Sequence, residues 1–354
     1  MRTRETLRIL SCAAVLSAGL HGARAAAADR SVDMGNGQVV KIAADRPLKV
    51  AIFSEGANNS AMQASIDGAK QAAAELGWQI DVFDGKFDTV TQVNQLQSAL
   101  TRGYDAWVLK AVEGNAACDI ATRQAPAANV AVVTSVLPIC GRASNESAAL
   151  WAPGTLAYIG GSETPQAFFR VLDRMARENP GPQKLGVITG PELNPITKNH
   201  EAALKMLRGK YPSIVVTALA RTDYSTPVAM EKAESMVQAN PDITLYYVAF
   251  SNLAKGLVPV LEQAGRLDKV KVYDNGATAW ALAALKSGKI ALTSANRLRS
   301  NAYNAVYAID KARRGEPVAH VLGDLGAPLV EGRPPAEPFL IDAGNVGGFT
   351  PEIK

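Results

Sequence analysis

Histidine and cysteine are scarce, with three of each in 354 residues. Beyond the first stretch of the chain only His200 and His320 remain as imidazoles, and neither has a metal-type neighbour in sequence. A metal centre is therefore not expected. The chain has no Gly-x-Ser-x-Gly elbow, no phosphate-cradling glycine loop and no His-Cys or His-Ser constellation. Hydrolytic, nucleotide-dependent and thiol chemistries lack their parts, so no catalytic residue and no cofactor is assigned. Aromatic residues make up only 6% of the chain. The apolar run at residues 9–20 is about 12 residues long, too short to span a bilayer.

That run does have a reading. Charged residues 1–8, the apolar stretch, Ala23-Arg24-Ala25 and an alanine run have the layout of a secretory signal peptide over 1–28. Cleavage is expected after Ala25 or Ala28. Too little apolar sequence precedes Cys12 for a lipid anchor.

The leader also absorbs the basic charge. Arg2, Arg4, Arg8 and Arg24 against Glu5 hold most of the formal +4, so the exported chain is near neutral and a nucleic-acid partner is not expected. About 325 residues exceed what one core supports, which predicts two lobes. Only Cys118 and Cys140 survive cleavage, in an oxidising compartment. A disulfide between them is the expectation, and two separate thiols the alternative.

After a polar tail at 29–47, strand and helix patterns alternate. Strands are predicted over 48–54, 79–84, 106–110 and 130–136, with helices over 61–76, 89–102 and 115–125. In the first helix Ile66, Ala69, Ala73 and Leu76 form one stripe. The alternation restarts with strands over 156–160, 184–189, 213–219, 244–249 and 270–273, and helices over 165–177, 199–211, 226–240 and 253–264. Such a pattern predicts an α/β protein with two doubly wound parallel-sheet lobes. Ligands of such sheets bind outside the carboxyl ends of the strands, so two facing lobes share one cleft.

Several motifs occur in a telling order: the opening strand with Asn58-Asn59 and Asp67-Gly68-Ala69, then Asn240-Pro241-Asp242, Tyr273-Asp274-Asn275-Gly276, Leu285-Lys286-Ser287-Gly288-Lys289 and Leu340-Ile341-Asp342. In this order and spacing the chain resembles periplasmic solute-binding proteins of the ribose-binding type, from about Leu48 to Val346. The resemblance implies the type I periplasmic binding fold, with three crossings near 158–161, 295–297 and 329–338. The lobes would comprise 48–159 plus 297–330 and 160–295 plus 331–354. Hinge motion would close them on ligand.

The same resemblance implies ligand contacts. Asn59 matches the asparagine of the first loop, although a turn residue would look the same. Asp274 matches a carboxylate able to accept two hydroxyls, against an Asx turn. Asn296 sits at the second crossing. Tyr224 and Tyr273 match aromatic positions, against packed tyrosines. Lys110 ends an apolar strand, where it is either exposed or meets an anionic ligand group. Two arginines of the family pattern are missing, with Ser135-Val136-Leu137 at one place and Thr197 at the other. Ala61 and Met62 replace an expected aromatic pair.

The implied role is a monomeric periplasmic protein that captures a small polar solute, a sugar or polyol, for an ABC permease. The alternative is a sensor presenting its ligand to a membrane histidine kinase, suggested by the closing Gly347-Gly348-Phe349-x-Pro351.

Overall fold

The computed structural model describes residues 29–145, 147–323 and 339–354. The expected leader at 1–28 and the expected crossing at 329–338 lie outside the described residues. Where the polar pattern of 29–47 predicts a tail, Arg30–Asp33 (β1) and Val39–Ile42 (β2) pair as an antiparallel hairpin. Met34, Val40 and Ile42 anchor it, fully buried in the first core. Each strand is only four residues long, too short for its alternation to stand out in a polar stretch.

The first sheet is parallel and contains Lys49–Ser54 (β3), Gln79–Asp84 (β4), Ala106–Leu109 (β5), Ala131–Val136 (β6) and Ala157–Gly160 (β7). The second contains Gln183–Thr189 (β8), Ile214–Arg221 (β9), Leu245–Val248 (β10) and Lys271–Tyr273 (β11), also parallel, in the order β11-β10-β8-β9. Thr293–Ser294 (β12) lies beside the end of β11. The chain then returns: Val321–Leu322 (β13) pairs with β7, completing the order β13-β7-β6-β5-β3-β4, and Leu340–Ile341 (β14) pairs antiparallel with β12. The third crossing therefore falls between β13 and β14.

Helices cover both faces of each sheet. Ser60–Leu76 (α1), Thr89–Ala99 (α2), Gly114–Asp119 (α3) and Ala125–Ala127 (α4) belong to the first half of the chain. A π turn at Ile120–Gln124 joins the last two, where Pro126 cannot supply a helical N–H. Pro165–Glu178 (α5), Pro195–Lys210 (α6), Thr226–Ala239 (α7), Ser251–Gln263 (α8), Ala279–Lys286 (α9) and Leu298–Arg314 (α10) follow. Helix α6 starts earlier than the predicted 199 because Asn194 caps it and Pro195 occupies a first-turn position that needs no N–H donor.

Buried strands of this kind divide their side chains between two cores. On β3, Val50 and Ile52 pack with Ala69 and Ala73 of α1 and Ala305 and Ile309 of α10, while Ala51 and Phe53 pack with Leu96 and Ala121. Helix α10 thus belongs to the first lobe despite its late place in sequence. Its crossing over α1 is close: a Cβ on Gly68 would lie 2.1 Å from the Arg299 carbonyl oxygen. In the second lobe, Tyr246, Val248 and Val272 face α7 to α9, and Leu185, Val187, Leu245 and Tyr247 face α5 and α6. Cys118 on α3 and Cys140 after β6 are joined by a disulfide.

Candidate functional site

The carboxyl ends of the strands carry an unusual density of buried polar groups. Glu55 follows β3 and Lys110 follows β5, and Lys110 Nζ lies 3.0 Å from Glu55 Oε2, with the side chains 3% and 5% exposed. Lys110 is therefore neither exposed nor waiting for an anion from a ligand, as its place in the sequence allowed. Its anion is Glu55. Burial disfavours the ammonium, but the carboxylates of Glu55 and Glu163 outweigh that and hold its pKa above the ordinary lysine value. Burial likewise pushes the Glu55 carboxyl up, against the pull of Lys110.

Glu163 stands on the first crossing, just after β7, and is itself buried. Asn296, on the second crossing, donates its amide to Glu163 Oε1 at 2.7 Å, and Ser162 donates to Asn296 Oδ1 at 3.3 Å. Asn199 of α6 holds the Glu163 main-chain carbonyl at 2.9 Å. The second Glu163 oxygen, Oε2, is buried without a hydrogen-bond partner among the described residues. Ser135 Oγ at the end of β6 and Thr189 Oγ1 at the end of β8 share that condition.

Tyr224 lies in the second half of the chain, between β9 and α7. Its backbone is left-handed, with φ of 65°, and its ring lies across Gly190 so closely that a Cβ there would be 2.0 Å from Tyr224 Cζ. Its hydroxyl is 2.7 Å from Thr197 Oγ1. Thr197, where the family pattern has arginine, thus orients the tyrosine. Burial pushes the phenol pKa up, against the hydrogen bond with Thr197.

Asp274, directly after β11, is fully buried. Neither carboxylate oxygen has a well-formed hydrogen bond among the described residues, although the Thr293 and Ser251 hydroxyls are near enough to ease its charge. Burial pushes this carboxyl up to about 7. Its neighbour Asn275 is structural, donating to the Tyr247 hydroxyl at 3.2 Å and accepting from Ser294 at 2.8 Å.

Two expected contacts turn out differently. Tyr273 packs in the core, and its hydroxyl accepts from Asn179 at 2.8 Å and donates to Glu178 at 3.1 Å. Those partners end α5, which runs away from the crossing, so the hydroxyl points away from the strand ends where ligand would sit. Asn59 is exposed and caps α1, accepting from the Met62 N–H at 2.9 Å. Glu55 and Glu163 were not anticipated. A lysine ending a buried strand demands a carboxylate, which was the available signal, but nothing in sequence says which carboxylate. Among the described residues no group of three or more His, Cys, Asp or Glu could hold a metal ion, and no helix is long and apolar enough to cross a membrane.

Comparison with known proteins places this geometry in context. The family described as periplasmic binding protein domain matches residues 50–317. A D-apiose import binding protein of Actinobacillus succinogenes is 24% identical over 262 residues, which is 74% of this chain and 81% of that protein. Among solved structures, an ABC transporter solute-binding protein of Bacillus halodurans with bound myo-inositol has a TM-score of 0.71 at 19% identity, covering 86% of this chain and 98% of that one. One from Actinobacillus succinogenes with bound D-allose has a TM-score of 0.70 at 17% identity, covering 86% of this chain and 100% of that one.

Proposed function

We propose that this chain, which belongs to the periplasmic binding protein domain family, captures a sugar or polyol between its lobes and delivers it to an ABC permease. The family is one of binding proteins, not enzymes. The observation that carries the solute class is the set of buried oxygens without partners at strand ends of both lobes: Glu163 Oε2, Ser135 Oγ, Thr189 Oγ1 and the Asp274 carboxylate. Buried acceptors and hydroxyls left unpaired are costly, and a ligand rich in hydroxyls satisfies them. Tyr224 forms one side of the site and Asn296 positions Glu163 at its floor.

This reading includes the lobe boundaries, 48–159 plus 297–330 and 160–295 plus 331–354, with the hairpin of 29–47 joined to the first lobe. It includes a leader over 1–28, a periplasmic location and a monomeric state. The relatives named above are import and transport proteins, which favours delivery to a permease over presentation to a histidine kinase.

The deciding experiment is a thermal-shift screen of purified protein against D-apiose, D-allose, myo-inositol and other polyols, with amine oxides and small acids as comparison classes. A ligand at a hundred times its Kd stabilises the folded state by about 2.7 kcal/mol. A sugar or polyol should raise Tm by mass action. A shift by amine oxides alone would turn the reading toward the sensor.

A further inference from the structure

The disulfide joins the segments that follow two neighbouring strands of the first sheet. Cys118 is on α3, which follows β5 and Lys110, and Cys140 ends a short segment that follows β6 and Ser135. Side chains of that segment enter different cores. Leu137 belongs to the core that α5 and α6 form with the second sheet, whereas Ile139, two residues on, belongs to the core that contains Leu96, Ala117 and Ile120 beside the first sheet. Just past the bond, Gln166 of α5 donates to the Ser144 carbonyl at 3.0 Å. The segment therefore links the two sheets.

Its backbone is held where its residues do not readily go. Val136 and Cys140 have φ of 68° and 60°. A β-branched residue is an outlier in that region, and such backbone persists only where the surroundings over-determine it. The Tyr158 hydroxyl donates to the Val136 carbonyl at 2.8 Å, and the Cys140 N–H donates to the Gly114 carbonyl at 3.1 Å. Gly114 in turn abuts the segment, since a Cβ there would lie 2.8 Å from the Pro138 carbonyl oxygen. The disulfide is the covalent member of this set of restraints. Ser135, immediately before Val136, carries one of the buried hydroxyls without a partner among the described residues. Release of the segment would move that hydroxyl and the Leu137 contact together.

Resting on the reading of the cleft as a sugar or polyol site, we propose that the Cys118–Cys140 bond positions that site. It holds residues 136–140 in the backbone that presents Ser135 to solute and keeps Leu137 in the core of the second sheet. Without the bond the strained segment relaxes, and only a fraction of the folded molecules keeps the arrangement that binds. Apparent Kd rises as the inverse of that fraction, so a fall to about one-fifth reads as an affinity about fivefold weaker. A bond that only restricted the unfolded chain would lower Tm and leave the Kd of the folded protein unchanged.

The test is titration calorimetry, well below the Tm of every variant, with whichever of D-apiose, D-allose, myo-inositol and the other polyols of the screen binds the wild type most tightly. Cys118→Ser combined with Cys140→Ser should bind at least about fivefold more weakly. Leu137→Ala keeps the bond and should also weaken binding. Leu257→Ala truncates α8 in the other core of the second sheet, so it should lower Tm and leave Kd unchanged. An unchanged Kd in the double serine variant makes the bond a staple of the fold alone, which overturns the inference and leaves sugar capture standing. If that variant does not fold, an unchanged Kd in Leu137→Ala has the same force. Equal weakening by Leu257→Ala overturns the inference as well, because affinity would then follow stability. Absence of binding by the wild type to every sugar and polyol overturns both.

Discussion

Asn296 and Glu163 lie 133 residues apart and meet at 2.7 Å, joining the first and second of the three crossings between lobes. On the proposed reading the bond ties the crossings to the ligand site, because the other oxygen of the same carboxylate is buried without a hydrogen-bond partner among the described residues. Replacing Asn296 by alanine leaves Glu163 buried with no donor on either oxygen. Urea unfolding of Asn296→Ala should show a loss of about 1–3 kcal/mol. Calorimetry with the best solute of the screen should show weaker binding. Unchanged midpoint and affinity would make Asn296 a mere linker.

Among the described residues Lys110 is the one fully buried lysine or arginine, and its charge serves Glu55 and Glu163, so its removal takes that compensation from two carboxylates. Breaking a buried ion pair from one side costs about 3–5 kcal/mol. Lys110→Met should lose stability on that scale, and adding Glu55→Gln should recover a large part of it. Denaturant melts of the single and double variants measure this. A double variant no better than the single would mean that lost packing, not charge, is responsible.

Asp274 makes stability depend on pH in a direction opposite to that of most aspartates. Burial pushes its carboxyl up to about 7, above an unfolded value of about 3.9. The folded state therefore keeps this proton across that window. Its contribution is complete below the unfolded value and is lost as pH rises through about 7. Measured as wild type minus Asp274→Asn, stability should fall by on the order of 4 kcal/mol between pH 4 and pH 8. His200, pushed down to about 3, has the reverse slope, but it is present in both proteins and cancels. A flat difference would show that Asp274 is hydrated or paired.

The Cys118–Cys140 bond closes a loop with a sequence separation of 22. A loop of that length restricts the unfolded chain by about 3 kcal/mol. Replacing both cysteines by serine should lower stability by that amount. Thiol titration of the unfolded, unreduced mature protein should find almost none, and two titratable thiols would remove the bond from this account.

Local sequence determined the strands, the helices and their alternation, because those follow from the period of apolar residues and from caps such as Asn59 and Asn194. The buried run of β3 and the stripe of Ile66, Ala69 and Ala73 are legible without any partner. The positions of Asp274 and Asn296 in the chain's layout were legible as well, the one directly after β11 and the other two residues after β12. Partners were decided only by the tertiary structure. Lys110 reads the same in sequence whether it is exposed, bound to ligand or paired with Glu55, and Tyr273 reads the same whether it faces solute or Glu178. Glu163 and Asn296 become neighbours only because the chain crosses between lobes more than once. Sequence periodicity records which face of an element is apolar, but contacts between distant segments depend on how the lobes are laid against each other, and that is set by packing across the whole chain.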